Sequence, residues 1–311
     1  MKLYWNKKFV KNVESFEKGG SQESFSVKEG KDFVSFYFIK RDLHYIFNDL
    51  EKETFFDIIT PFDYGGIHYT NKDLLKRFFK EFSFFCKKNN IISSFIRFAP
   101  TYSFDYNTIS KFIDVQKIND LVYINLENDF EKNYSRGRKS NINKIEKLNF
   151  KVNIIDVKEF YNLYIESMNR NNANPYFYFD INVLKKLIDN KFGRVYGILI
   201  DDILISSLMI LDEKDCSYYF LGASSTVKLN LDANAMLFHQ VALLLRQERQ
   251  KKFFLGGGRK GVYEFKRRFS SHTLPYYIGT KIYNHNIYNK LVMRSSNENN
   301  NFFPKYREKT I

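Results

Sequence analysis

The sequence predicts a mixed α/β fold whose order of elements is run through twice. Three observations carry this. One helix with a single apolar face stands in the first half. A block of three apolar strands joined by acidic turns stands in the second. Each half reads as strands, a helix, a strand, a helix and a strand, which is the layer pattern of α/β proteins with mixed sheets. The repeat lies in element order and not in matching residues. Its seam falls within 128–149, and the expected domains are 1–135 and 136–311.

The elements follow in chain order from periodicity and punctuation. "DFVSFYFIK" (32–40) and "FFDIITPF" (55–62) carry β signal. In 71–90, Leu74, Leu75, Phe78, Phe79, Phe82, Phe85 and Cys86 recur at steps of three and four, with lysines on the other face, which predicts a helix. "IISSFIRF" (91–98) is a strand stopped by Pro100, and "LVYINLE" (121–127) is another. Asp129 is placed to cap a short helical turn, and a basic stretch with a narrow Ile142–Ile145 stripe follows. "KVNIIDV" (151–157) reads as a strand and 157–172 as a helix, with Asp180 as the N-cap of the helix 181–190. Within 194–224, Asp201-Asp202 and Asp212–Asp215 separate three apolar runs, as turns separate strands. A long helix (230–252), the strand "FFLGGG" (253–258), a short helix "GVYEFKRRF" (261–269) and a strand "LPYYIGTKIYN" (274–284) follow.

Composition bounds the class. Hydrophobic residues make up 44% of the 311, enough for a buried core and against disorder. The formal charge of +14, from 49 basic against 35 acidic residues, favours a polyanionic partner such as RNA, a nucleotide-linked intermediate or anionic lipid. A codon bias toward lysine gives the same surplus. Cys86 and Cys216 are too few for a disulfide framework, and no Cys/His spacing fits a metal. The start of the chain is polar, and no run approaches the ~20 apolar residues of a membrane span. The expectation is a cytoplasmic chain, free or peripheral at the inner face of a membrane.

The stretch "FFLGGGRKGVYEFKRRFS" (253–270) raises the chemical question. Gly256, Gly258 and Gly261 satisfy G-x-G-x-x-G after a strand. The acidic residue a dinucleotide site needs about 20 positions on is missing, and no G-K-[ST] follows for a Walker loop. Two readings remain. The glycines let the strand end bend or another backbone come close. Alternatively, the bend aims Phe265 and Lys266 into a cleft, with Gly257 and Gly258 beside the substrate. On a helix Phe265, Arg268 and Phe269 share a face that Lys266 flanks, so its ammonium can meet developing negative charge.

"TPFDYGG" (60–66) is either a surface turn or a strand-end loop whose Asp63, Tyr64, Gly65 and Gly66 contact substrate. "YSRGRKSNINKIEK" (134–147) either solvates a helix face or meets phosphates through Arg136, Arg138 and Lys139. His44, His68, His239, His272 and His285 lack ligand spacing, and no G-x-S-x-G elbow occurs.

Taken together, "TPFDYGG", "SRGRKSNINKIEKLNFKV", "YYFLGASSTVKLNLDANAMLFHQVALLL", "FFLGGG" and "VYEFKRRFS" resemble, in that order, the FemABX-like members of the GNAT superfamily. This group includes the non-ribosomal aminoacyltransferases that build peptidoglycan cross-bridges. The resemblance covers roughly 55–284. It implies two acetyltransferase-like domains in tandem and no permanent cofactor. It also implies aminoacyl-tRNA as donor, and as acceptor an amine on a nucleotide- or lipid-linked envelope precursor. The Phe-Lys pair of the family's F-K-x-x-F motif, implicated in catalysis, maps onto Phe265 and Lys266. No long heptad insertion is present, so the coiled-coil arm of some members is absent.

The rival donor is acetyl-CoA or another acyl-CoA, with an amino sugar of a surface polysaccharide as acceptor. Ordinary GNAT enzymes hold the CoA diphosphate on a glycine-containing turn at a helix N-terminus. The equivalent "SSTVKLNLDANAM" (224–236) has no glycine between strand and helix. A non-catalytic module that binds an envelope precursor or RNA is the third alternative.

Overall fold

The computed structural model describes residues 2–47, 54–100, 105–227, 231–295 and 302–310. In chain order the elements are α1 (Lys7–Val13), β1 (Gly20–Glu29), β2 (Asp32–Asp42), β3 (Phe56–Ile59), β4 (Ile67–Tyr69), α2 (Leu74–Lys88), β5 (Ile91–Arg97), α3 (Tyr106–Ile109), β6 (Asp114–Asn125), α4 (Arg136–Ile145), β7 (Phe150–Ile154), α5 (Val157–Arg170), α6 (Ile181–Asp189), β8 (Gly193–Ile200), β9 (Ile203–Asp212), β10 (Cys216–Ser224), α7 (Ala233–Gln247), β11 (Lys252–Gly256), α8 (Lys260–Arg267), β12 (Thr273–Ile282) and α9 (His285–Arg294). The sequence reading leaves out α1, β1, β4, α3 and α9. Among the described residues the longest helices, α2 and α7, have 15 residues, far short of a coiled-coil arm.

The chain falls into two compact units, Tyr4–Ile118 with Tyr276–Ile311, and Met1–Leu3 with Asn119–Pro275. The sequence places one seam at 135/136. The contacts divide the chain at 3/4, 118/119 and 275/276, the last because most of β12 and all of α9 belong with the N-terminal half.

In the N-terminal unit the strand order is β1-β2-β3-β5-β12, with β4 also on β2. The β3–β5 pair is parallel, as a crossover through α2 requires, and the other pairs are antiparallel. The apolar face of α2 buries Leu75, Phe78 and Phe82 with Phe36 and Phe38 of β2. The aromatic-rich composition becomes ring packing here, with Phe78 stacked on Phe82 at 5.5 Å between centroids. The fully buried Asp57 accepts from Arg41 Nε at 2.8 Å and from Arg307 Nη2 at 3.1 Å, while Arg41 Nη1 donates to buried Glu17 at 2.8 Å.

In the C-terminal unit the order is β6-β11-β10-β9-β8-β7, with β10–β11 parallel and the rest antiparallel. Asp201 and Asp202 form the two-residue β8–β9 turn with φ of 54° and 60°, the left-handed pair such a hairpin demands. The sheet packs against α7 through Ile198, Leu208 and Phe253 on one side of the contact and Met236 and Val241 on the other. Helix starts are capped as the residues dictate. Asp180 Oδ1 accepts from Asn182, Asp156 forms a capping box with Glu159, and Ser135 Oγ accepts from the Arg138 N–H.

Candidate functional site

The C-terminal unit opens a cleft of about 330 Å³, lined by α5, β10, α7 and α8. Two backbone irregularities accompany it. The β9–β10 register shifts between Tyr219 and Leu221, and β11 ends in glycines with φ of 80° at Gly256 and 134° at Gly258. Both values lie where a side chain is strained, and a Cβ on Gly258 would also stand 2.9 Å from Val262. The glycines therefore set the bend from which α8 starts.

Lys266 is the buried residue of α8, 7% exposed, and it lines the cleft. Its Nζ donates to the Gly257 carbonyl at 2.6 Å and lies 5.1 Å from the centroid of the Tyr219 ring. A buried ammonium needs such acceptors, since burial without them is costly. Phe265 also lines the cleft and packs edge-on against Phe238 and Phe269, at 5.6 and 5.5 Å. Arg268 does not share that face. It follows the last turn of α8 and is exposed.

The rest of the wall is neutral and able to hydrogen-bond. Ser167, Asn171, Ser224 and Asn234 supply hydroxyls and amides, while Gly222, Ala223, Gly261 and Val262 leave room. Arg170 Nη2 bridges Ser167 Oγ and Ser224 Oγ at 3.3 and 3.2 Å, and Ser206 Oγ donates to Asn234 Oδ1. A Cβ on Gly222 would stand 2.6 Å from the Tyr219 hydroxyl, so the glycine gives that phenol its place. A few polar groups and one lysine on a shared wall suit a small acyl centre that becomes anionic.

The remaining sequence candidates are dispersed. Gly257 serves through its carbonyl, already engaged by Lys266, and Gly258 is exposed. Arg136 and Lys139 are exposed on α4. Arg138 is not. It is fully buried, ion-paired to Asp232 at 2.8 Å, with its guanidinium over the Phe265 and Phe269 rings at 4.4 and 4.2 Å. The helix turns it inward on the stripe of Ile142 and Ile145, which withdraws it from any phosphate.

Asp63, Tyr64, Gly65 and Gly66 belong to the N-terminal unit, and their loop is no open surface turn. Tyr64 is 8% exposed and meets Tyr4 and Tyr276 edge-on. Burial, then the Asp63 carboxylate, pushes its phenol well above the usual range. Gly65 N–H donates to Arg97 O at 2.8 Å, and Gly66 O accepts from Trp5 Nε1 at 2.8 Å. Asp63 is half-buried, with φ of 70°.

Sequence reasoning missed Ser167, Tyr219, Gly222, Ser224 and Asn234. The one signal available was the glycine inside the apolar run "YYFLGAS". Among the described residues, no group of three His, Cys, Asp or Glu is placed to hold a metal, and no helix is long and apolar enough to cross a membrane.

No family model matches the chain, and no curated protein sequence matches it significantly. Solved structures do match. FemX superposes with a TM-score of 0.69 at 12% identity, over 91% of this chain and 92% of its own. A C-terminal domain assigned to a lysylphosphatidylglycerol synthetase from Agrobacterium fabrum gives 0.58 at 10%, over 87% and 91%. A tandem GNAT protein from the clavulanic acid biosynthesis pathway gives 0.50 at 8%, over 86% and 84%. At these identities the likeness is one of fold. The chain has the mixed α/β fold shared by FemX and the tandem GNAT proteins, the fold its sequence motifs imply.

Proposed function

We propose that this chain is an acyltransferase of the FemABX-like kind, moving an aminoacyl group from aminoacyl-tRNA to an amine of a cell-envelope precursor of the peptidoglycan type. The observation that carries this reading is Lys266, a buried ammonium on the wall of a neutral, hydrogen-bonding cleft. In the reaction the amine nitrogen attacks the ester carbonyl and a C–N bond forms. The carbonyl electrons move to oxygen, where Lys266 opposes the new charge. The C–O bond to the ribose then breaks, and the proton lost by the amine ends on the ribose hydroxyl. Phe265 holds the helix against Phe238 and walls the cleft. The charge on one well-placed donor of this sort is worth about 10²–10³ in rate.

Support for the donor is electrostatic. The net charge is +14, and Arg136, Lys139, Arg259, Lys260 and Arg268 are exposed. At the start of α7 no glycine lies between Ser224 and Ala233, and Asp232 sets a carboxylate at that helix end. The glycine-containing turn that ordinarily holds a CoA diphosphate is thus missing, and the carboxylate there is taken up by Arg138 and Asn141. Residues 228–230 of this turn lie outside the described residues. The bend at Asp63–Gly66 of the N-terminal unit remains a substrate-binding candidate by itself, since its left-handed backbone is of the kind that gathers at functional sites. A cytoplasmic setting, free or at the membrane face, belongs to the same reading.

An acyl-CoA donor with an amino-sugar acceptor is the second reading. The likeness to the tandem GNAT protein, whose structure is described without AcCoA, favours it. The test is to incubate the purified chain with labelled aminoacyl-tRNA or labelled acetyl-CoA, together with peptidoglycan-type precursors or amino sugars. Label transferred from aminoacyl-tRNA supports the proposal. Transfer from acetyl-CoA alone replaces the donor. Precursor binding with no turnover on either donor leaves a binding module.

A further inference from the structure

Resting on that reading, we infer that Arg138 is a positioning residue for Lys266, acting through α8 and not through a bound anion. The helix that carries Lys266 has eight residues, and no side chain caps its N-terminus. Helices shorter than about 12 residues are marginal on their own, so tertiary ties set the placement of α8. Its last turn is tied down by α4. Arg138 Nη2 donates to the Phe265 carbonyl at 3.3 Å, and the Ser135 N–H donates to the Arg268 carbonyl at 2.9 Å. Helix C-termini leave such carbonyls without intrahelical partners, and arginine is suited to meet them.

The same guanidinium covers the Phe265 and Phe269 rings. Its charge is anchored by Asp232, which also accepts from Asn141 Nδ2 at 2.7 Å. One buried side chain therefore grips the backbone and ring of the residue next to Lys266, and fixes both to the start of α7. A slip of α8 by one residue turns it by about 100° and swings the ammonium out of the cleft. The salt-bridge partner lies 94 positions away.

The test compares the full-length chain with Arg138→Met, Arg138→Lys and Asp232→Asn. Two quantities are read: amide hydrogen exchange of a peptide covering 259–269 against one covering β8–β9, and kcat and KM for the transfer. The expected result for Arg138→Met is exchange at least tenfold faster in 259–269 only, with kcat down at least tenfold and KM within threefold. Arg138→Lys and Asp232→Asn should fall between this variant and the wild type, and they decide the matter if Arg138→Met does not fold. Unchanged exchange in 259–269, exchange raised equally in both peptides, or a loss confined to KM overturns the assignment. If the wild-type chain transfers nothing from either donor, the functional reading fails separately, and the exchange data alone still judge whether Arg138 holds the lysine-bearing helix.

Discussion

The ammonium of Lys266 is held by the carbonyl of Gly257 across 2.6 Å, so the bend that launches the helix also fixes its buried charge. Both residues belong to the stretch "FFLGGGRKGVYEFKRRFS". Its glycines and its lysine are parts of one device. The glycines turn the chain, and the freed carbonyl receives the side chain nine positions later.

Gly222→Ala tests the shape of the cleft. The added methyl stands 2.6 Å from the Tyr219 hydroxyl, the far end of a side chain that can swing. Folding should suffer little, and the displaced ring should crowd the cleft. The expected outcome is KM for the acyl donor raised about tenfold with Tm nearly unchanged. A wild-type KM would show that substrate does not lie beside Tyr219.

Asp57 governs acid stability. Burial pushes its carboxyl up, but the Arg307 and Arg41 guanidinium groups outweigh burial and hold it below the usual carboxylate range. A depressed folded pKa means stability that is full above the unfolded value of about 3.9 and is lost as pH falls through the folded value. Asp57→Asn leaves Arg41 and Arg307 without their shared anion and should cost about 3–5 kcal/mol at neutral pH. Urea unfolding at pH 7 and at successively lower pH checks both points. The variant should lose the steep acid limb that the wild type shows.

His239 sets a second, milder window. It is buried in α7 within 3.3 Å of the Tyr134 hydroxyl, and burial lowers its pKa. Below the unfolded value of about 6.5 the unfolded chain takes a proton that the folded chain refuses. Stability is therefore full above 6.5 and falls as pH drops through the folded value. An NMR titration of the imidazole should give a midpoint below 6.5. A midpoint above it contradicts the buried, neutral assignment.

Much of the fold was legible because its signals are local. The face of α2, the Asp180 cap and the Asp201-Asp202 turn each depend on neighbours within one helical turn or one hairpin. The site was less so. Lys266 could be singled out from its place after a glycine bend, but its acceptor could not. Arg138 reads in the sequence as a cation that either solvates a helix face or meets a phosphate, because the Asp232 and aromatic rings that bury it come from distant elements. The register shift at Tyr219 depends on pairing with β9 and leaves no mark in composition. The Asp57–Arg307 pair spans 250 positions, beyond the reach of any periodicity.

The most direct measurement is single-turnover transfer of a labelled aminoacyl group by Lys266→Met, with folding confirmed by an unchanged melting transition. Loss of the ammonium should lower the chemical rate about 10²-fold or more while donor binding is kept. A folded Lys266→Met protein that transfers at the wild-type rate would contradict the claim that this buried charge stabilises the acyl centre.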